Sequence, residues 1–323
     1  MADLYQRAFR TIESGGVKLR VAVEGKGPLV ILLHGWPQGW FLWRHQIDPL
    51  VAAGYQVAVP DQRGYGGSDA PPAIEDYDIV KLTGDVANVA TALGHERFVV
   101  VGHDWGSLVA WNTALLHEPR VRAVVGMSVP YFRYPVGTLT RQETFGANFW
   151  YMVYFQKPGV AEAELDRDLR RSITKIHWSL SAEAPKNIFV QPKPSTAKLL
   201  DGLPEPCPRP AGLSEADLDY IVAQYQRNGF RGPINWYRNL DRNMTITPQL
   251  EGRAIRQPAL FVAGEKDVVL DFPGLGGEEL WQLLPNLKRR VIVPGAGHWI
   301  PAERPAETTQ ALLDFLRELP GEA

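Results

Sequence analysis

The run Gly102-His103-Asp104-Trp105-Gly106 has the form of a sharp turn from a buried strand into a helix, with a nucleophile at its tip. Glycines on either side let strand and helix approach closely. The tip residue is held in a strained conformation, its side chain out over the end of the sheet. A serine there attacks carbonyl carbon and needs a base to remove its proton. An aspartate is already ionised, attacks saturated carbon and leaves an alkyl ester of the protein itself. Asp104 therefore points to ring opening of an epoxide or displacement of halide rather than to ester hydrolysis. Taken alone, the turn also admits a plainer reading, an aspartate capping a helix.

An alkyl ester of the protein must be hydrolysed before the next turnover, which calls for an oxyanion site, a base and an acid to orient that base. His34-Gly35-Trp36-Pro37 follows the apolar run Leu29 to Leu33. The Trp36 N–H, together with that of Trp105, can hold a tetrahedral oxyanion. Of the seven histidines, His298 lies in the glycine-rich segment Pro294-Gly295-Ala296-Gly297-His298-Trp299, where the chain order nucleophile, acid, histidine puts the general base. His103 flanks the nucleophile and is expected to point away from it, and His34 to organise its own loop. His45, His95, His117 and His177 carry no surrounding pattern. The base needs a carboxylate to fix its tautomer and steady the imidazolium. Gly264-Glu265-Lys266-Asp267 follows the strand-like run 260–263 and supplies Asp267, with Glu265 as its competitor.

The elements that must position these groups can be read from periodicity. Short apolar, β-branched runs recur at 29–33, 57–60, 98–101, 121–127, 259–262 and 291–293, with amphipathic stretches such as Ile79 to Leu93 between them. Leu108 to Leu116 continues as a helix after the elbow. This alternation predicts an α/β protein, a mostly parallel doubly wound sheet with helices on both faces. Residues 17–23 alternate in polarity and read as part of an antiparallel edge. From about Tyr131 to Asn243 strand-like runs give way to helical stretches rich in Trp, Tyr and Phe. An insertion covering the strand ends explains that change. The expected division is a core of residues 1–130 and 246–323 with a helical cap at 131–245.

Composition narrows the classes. The chain has 323 residues, 45 % hydrophobic and 22 % charged, with net charge −2 and no basic run. Nucleic acid is therefore not expected as a partner. Cys207, the single cysteine, lies in the proline-rich segment 203–210, which excludes an internal disulfide and suggests no catalytic role. No leader-like apolar segment opens the chain and no apolar run approaches the length of a membrane span, so a cytoplasmic protein without membrane insertion is the default expectation. There is no clustered His/Cys ligand set and no dinucleotide-type glycine fingerprint, so neither metal nor organic cofactor is expected.

With these parts in place the chain resembles, over essentially its whole length, the epoxide hydrolases of the α/β-hydrolase superfamily, most closely the hydrolase domain of the soluble enzymes. The matching stretches are His34-Gly35-Trp36-Pro37, Arg63-Gly64-Tyr65-Gly66-Gly67-Ser68 and Gly102-His103-Asp104-Trp105-Gly106, with 154–165 and 229–239 in the cap. The cap stretches are the more informative, because dehalogenases and lipases share the core motifs. The resemblance implies the α/β-hydrolase fold with an inserted cap, favours Asp267 over Glu265, and implies two cap tyrosines that hydrogen-bond the epoxide oxygen. Tyr237 matches one directly. Tyr151 is the favoured partner and Tyr154, one turn away, its competitor. Trp36, Pro37 and Tyr154 are implied as substrate-binding residues. Ring opening releases an alkoxide, and phenols can meet it with a proton at neutral pH.

The reading that follows is an enzyme acting on a small-molecule epoxide and water, with a homodimer compatible with the chain. A dehalogenase with the same Asp-His-Asp set is the alternative; it would replace the phenols with halide-binding N–H groups. A non-catalytic receptor on the same fold is the third. Two departures stand out. Mammalian soluble relatives carry an amino-terminal phosphatase domain, for which no room is expected before a first strand near residue 17, so a single activity is anticipated. Ser107 replaces a second glycine often found after the elbow, a change not expected to alter the chemistry.

Overall fold

The computed structural model describes residues 4–210, 212–272, 275 and 278–320. Eight strands form one sheet: β1 (Phe9–Ser14), β2 (Val17–Glu24), β3 (Leu29–Leu33), β4 (Gln56–Pro60), β5 (Phe98–His103), β6 (Val121–Met127), β7 (Ala259–Gly264) and β8 (Leu287–Val293). Their order across the sheet is β1-β2-β4-β3-β5-β6-β7-β8. β2 pairs antiparallel with both β1 and β4, and every other pair is parallel.

Burial explains which strands are legible as sequence. Each residue of β3, β5 and β7 is buried, so these strands read as continuous apolar runs. β2 alternates, as a strand near an edge should. β1 is the correction to the expected start of the core: the sheet begins at Phe9, not near residue 17. Its sequence FRTIES buries only Ile12 and Ser14, too little apolar character to register as a strand. Pairing with β2 through the tight turn at Gly15 and Gly16, both at positive φ, sets its register instead.

The chain leaves β3 for β4 on one side and returns to β5 on the other, so the sheet order reverses between β3 and β5. Open α/β sheets bind ligands in the crevice beyond the carboxyl ends of strands at such a point. Here those ends carry His34 to Pro37 and Asp104. Right-handed crossovers running in opposite directions place helices on opposite faces. The helices Ile79–Ala92 and Trp105–Leu116 pack together on one face, and Ile47–Ala52 contacts Pro305–Arg317 on the other.

Between β6 and β7 the described chain adds no strand to the sheet. Seven helices fill the interval, from Gln142–Phe145 to Leu240–Ile246. Leu169–Leu180 is capped by Asp168, whose carboxylate accepts the Arg171 N–H, and Glu215–Asn228 opens on a reciprocal Ser214–Asp217 cap. These two helices pack against each other. The proline-rich segment 203–210 is irregular, as expected, and burial pushes the Cys207 thiol up to about 11. No described helix is long and apolar enough to cross a membrane.

Candidate active site

Asp104 sits between β5 and the helix Trp105–Leu116 with φ 55 and ψ −119, a conformation that L residues rarely adopt. The turn is this tight because its glycines are in backbone contact. A Cβ on Gly106 would overlap the carbonyls of Leu33 and His34, and one on Gly102 would overlap the carbonyl of Gly106 itself. The helix begins at Trp105 rather than at Leu108. Ser107 donates to the Val129 carbonyl at 2.6 Å, so the departure from glycine is absorbed by a local hydrogen bond behind the turn.

The Asp104 carboxylate is held by the groups expected around it. Its Oδ1 accepts the Trp36 N–H at 2.7 Å, and the Trp105 N–H bonds the same carboxylate. Its Oδ2 lies 3.6 Å from His298 Nε2. The side chain keeps 14 % exposure. Burial pushes its carboxyl above the usual carboxylate range, against the opposing pull of His298 and the two tryptophan N–H groups.

His298 Nδ1 donates to Asp267, with both carboxylate oxygens at 3.1 Å. Burial alone would lower the imidazole, but the charge and hydrogen bond of Asp267, with help from Asp104 and Glu303, raise it above 6.5. Asp267 itself resists burial through His298, Ser128 and the Val269 N–H, which hold it below the usual range. The competitor Glu265 is engaged elsewhere, accepting the Gly295 N–H at 2.9 Å. The His298 backbone is fixed on both sides, its N–H to Leu180 O at 2.9 Å and its carbonyl accepting from His103 Nε2 at 2.7 Å.

Three other histidines, His34, His103 and His177, are buried around the site. Burial lowers His103 to about 3, and His34 and His177 to about 4. His34 does organise its loop, donating from Nδ1 to Gly35 O at 3.0 Å and accepting the Gln62 N–H at Nε2, also at 3.0 Å. His177 donates to Pro37 O at 3.4 Å and stacks on Trp299 with ring centroids 4.5 Å apart.

The helical insertion contributes the facing wall. Tyr237, on the helix Arg231–Arg238, is 3 % exposed, and Tyr151, on Tyr151–Tyr154, is 9 % exposed. Their rings pack edge to face, 5.7 Å apart, which brings the two phenols side by side. Neighbouring Trp236 anchors the helix by donating from Nε1 to Arg63 O at 3.1 Å. Burial and then charged or phenolic neighbours, Asp104 among them, push both phenols well above 10. Trp36 packs edge-on to Tyr237 at 5.8 Å and against Phe155 at 5.3 Å, while Pro37 is buried beside it. Tyr154 is not brought to this cluster. Its hydroxyl donates to Glu164 Oε2 at 2.8 Å, and its charged neighbours are Glu164, Asp201 and Glu162 rather than Asp104.

Two residues of the surroundings were not singled out by sequence reasoning. Ser128, at φ 67 just beyond β6, bonds Asp267 and donates to the His298 carbonyl at 3.3 Å. A small hydroxyl ending a buried strand beside the elbow strand was the available signal. Glu303 accepts hydrogen bonds from the loop carrying His298, and nothing in its spacing distinguishes it from a solvated glutamate. Among the described residues no group of three or more His, Cys, Asp or Glu side chains is placed to hold a metal ion.

The chain is similar over most of its length to known proteins. A family model for the alpha/beta hydrolase fold matches residues 28–305. Epoxide hydrolase A of Mycobacterium tuberculosis is 44 % identical over 315 residues, 96 % of this chain and 97 % of that protein. The bifunctional epoxide hydrolase 2 of Sus scrofa is 39 % identical over 93 % of this chain, which spans only 53 % of that relative. Among solved structures, Epoxide Hydrolase A from Mycobacterium thermoresistibile has a TM-score of 0.90 at 45 % identity, covering 98 % of this chain and 100 % of its own. An epoxide hydrolase from an endophytic Streptomyces also reaches 0.90, at 38 % identity, covering 97 % of this chain and 96 % of its own. With the fold, the aspartate elbow and the relatives in agreement, the chain belongs to the epoxide hydrolases of the α/β-hydrolase superfamily.

Proposed function

We propose that the protein converts epoxides to vicinal diols through a covalent ester on Asp104, under a cap formed by residues 131–245. One observation carries this reading: a strained, ionisable carboxylate stands beside two neighbouring phenols and the His298–Asp267 pair. Asp104 Oδ2 attacks an epoxide carbon while Tyr151 and Tyr237 hydrogen-bond the oxygen. The C–O bond breaks and one phenol gives up its proton. His298 then takes a proton from water, and the hydroxide adds to the ester carbonyl. The oxyanion forms on Oδ1, which already accepts the Trp36 N–H, with the Trp105 N–H as the second donor to that carboxyl group. Collapse expels the second diol oxygen, which takes the proton from His298. The proton left on Asp104 restores the phenol.

Tyr151 is favoured over Tyr154 as the second acid because its ring packs on Tyr237 and its phenol feels the Asp104 charge, whereas Tyr154 is committed to Glu164. A dehalogenase would need N–H donors for halide where these phenols stand. A single turnover in ¹⁸O-enriched water tests the scheme: the diol should carry oxygen from Asp104, and the label should enter the Asp104 carboxylate. Solvent label in the diol of that first turnover refutes the ester.

A further inference from the structure

We propose that Glu303 is a positioning residue for the water-activating step, clamping the loop that carries His298 to the helical insertion. This rests on the ester mechanism above, which assigns His298 its work. Glu303 is 8 % exposed, and its side chain folds back over the loop instead of reaching solvent. Its Oε2 accepts the Gly297 N–H at 3.0 Å and the Ala182 N–H at 3.1 Å, and its Oε1 accepts the Trp299 N–H at 3.2 Å. One carboxylate therefore ties the residues on both sides of His298 to the segment that ends the helix Leu169–Leu180.

The rest of this seam has no slack. Leu180 O accepts the His298 N–H at 2.9 Å, and the Trp299 indole donates to His177 O at 2.7 Å. Lys266 Nζ reaches Ala182 O at 3.3 Å. A Cβ on Gly297 would lie 2.6 Å from the Ser181 carbonyl carbon, so two backbones meet here with no room for a side chain. Among these contacts only Glu303 brings negative charge. The titratable groups facing His298 are Asp267, Asp104, Glu303, His103 and His177. Around Glu303 stand His298, Lys266 through Ala182, and Arg304, which donates to the Glu303 carbonyl. When His298 takes a proton from water it becomes cationic, and the Glu303 carboxylate supports that cation through charge rather than direct contact. Ring opening by Asp104 makes no such demand.

A glutamine at 303 has one acceptor oxygen, and its NH₂ would face backbone donors, so the clamp opens at one end. In Glu303→Gln, alkylation followed by tryptophan fluorescence in single turnovers should stay within about twofold, while ester hydrolysis falls about ten- to a hundredfold through misplacement of the base. The intact mass should show alkylated protein during turnover, and the acid limb of the hydrolysis rate should move to lower pH because His298 loses a favourable charge. Glu303→Asp keeps the charge on a shorter arm. Its hydrolysis should slow without displacement of the acid limb, and it carries the test should Glu303→Gln fail to fold. Equal slowing of both steps, or unchanged partitioning with an unmoved limb, refutes the proposal. His298→Gln separates this failure from the larger one: if that variant accumulates no ester the mechanism itself falls, whereas trapping there with normal partitioning in the Glu303 variants removes only Glu303.

Discussion

Replacing Tyr237 with phenylalanine removes one oxygen from the wall facing Asp104 and leaves the ring packing in place. The ring meets Trp105 at 5.1 Å, Phe155 at 4.9 Å and Trp36 at 5.8 Å, contacts that phenylalanine keeps. The lost hydroxyl is neutral and buried, and it stands beside Tyr151 and Trp105. That loss costs about 1 kcal/mol of stability. Its effect on ring opening is larger. Deleting one donor to a developing oxyanion in a dry site slows reaction by about 10²–10³, or ~2.7–4 kcal/mol. Because Tyr151 still meets the alkoxide, the low end applies, and we expect alkylation to slow about a hundredfold. In the proposed mechanism ester hydrolysis depends on His298 instead and should change less than about threefold, since only interactions made in a step's own transition state alter its rate. Stopped-flow fluorescence under single-turnover conditions separates the two steps. Adding Tyr151→Phe should then remove far more than the product of the single effects, because the first deletion leaves one phenol to carry the alkoxide. Alkylation within about threefold of the parent rate in Tyr237→Phe, with hydrolysis impaired instead, would refute the assignment of the phenols to ring opening.

Tyr151→Phe should match Tyr237→Phe in slowing alkylation, while Tyr154→Phe, losing a bond to Glu164, should affect thermal stability and leave alkylation within about twofold; the same stopped-flow assay decides. Gly35→Ala puts a methyl group 2.7 Å from the His103 carbonyl and against the Asp104 side chain. Alkylation should fall at least about a hundredfold with the fold retained by circular dichroism, because a displacement of order 1 Å suffices for that loss. Asp267→Asn removes the charge and the hydrogen bond that raise His298. If hydrolysis uses neutral His298 as proposed, it fails as pH falls through the raised pKa, and the variant's acid limb should shift to lower pH. Its plateau should drop by about 10³–10⁴ from loss of the imidazolium's partner and tautomer control. A limb that moves upward contradicts the assignment.

How much of this could be read from the chain differs by element for physical reasons. The parallel strands were legible because both faces of β3, β5 and β7 are covered, leaving only apolar residues. β1 was not, because its exposed edge carries polar residues and its register comes from β2 and a glycine turn. The elbow was legible because backbone contact at Gly102 and Gly106 restricts residue type over a short span. Asp267, Tyr151 and Tyr154 needed the resemblance, since an acidic loop residue or a helical tyrosine has no local pattern that separates chemistry from packing. Glu303 and Ser128 were silent for a different cause: all three Glu303 partners are backbone N–H groups, which any sequence offers, and the partners that tie Glu303 to Ala182 and Ser128 to His298 lie 121 and 170 residues away. Such partners impose no spacing on the residues that use them.

The electrostatics of the site give the two half-reactions an order. In the resting enzyme, the charges of Asp267 and Asp104 both favour the imidazolium form of His298, which opposes its use as a base. In the proposed mechanism, alkylation converts Asp104 to a neutral ester and removes one of those charges. The His298 pKa must then fall, because the group whose negative charge stabilised the cation no longer carries it. The base is thus released for water activation by the event that creates the bond it must break. It follows that the acid limb of ester hydrolysis lies below the pH at which His298 titrates in the unalkylated protein. Imidazole titration by NMR in the resting enzyme, set beside the pH profile of ester breakdown, measures the gap directly. Coincidence of the two values would mean that the Asp104 charge does not reach His298 across the 3.6 Å between them.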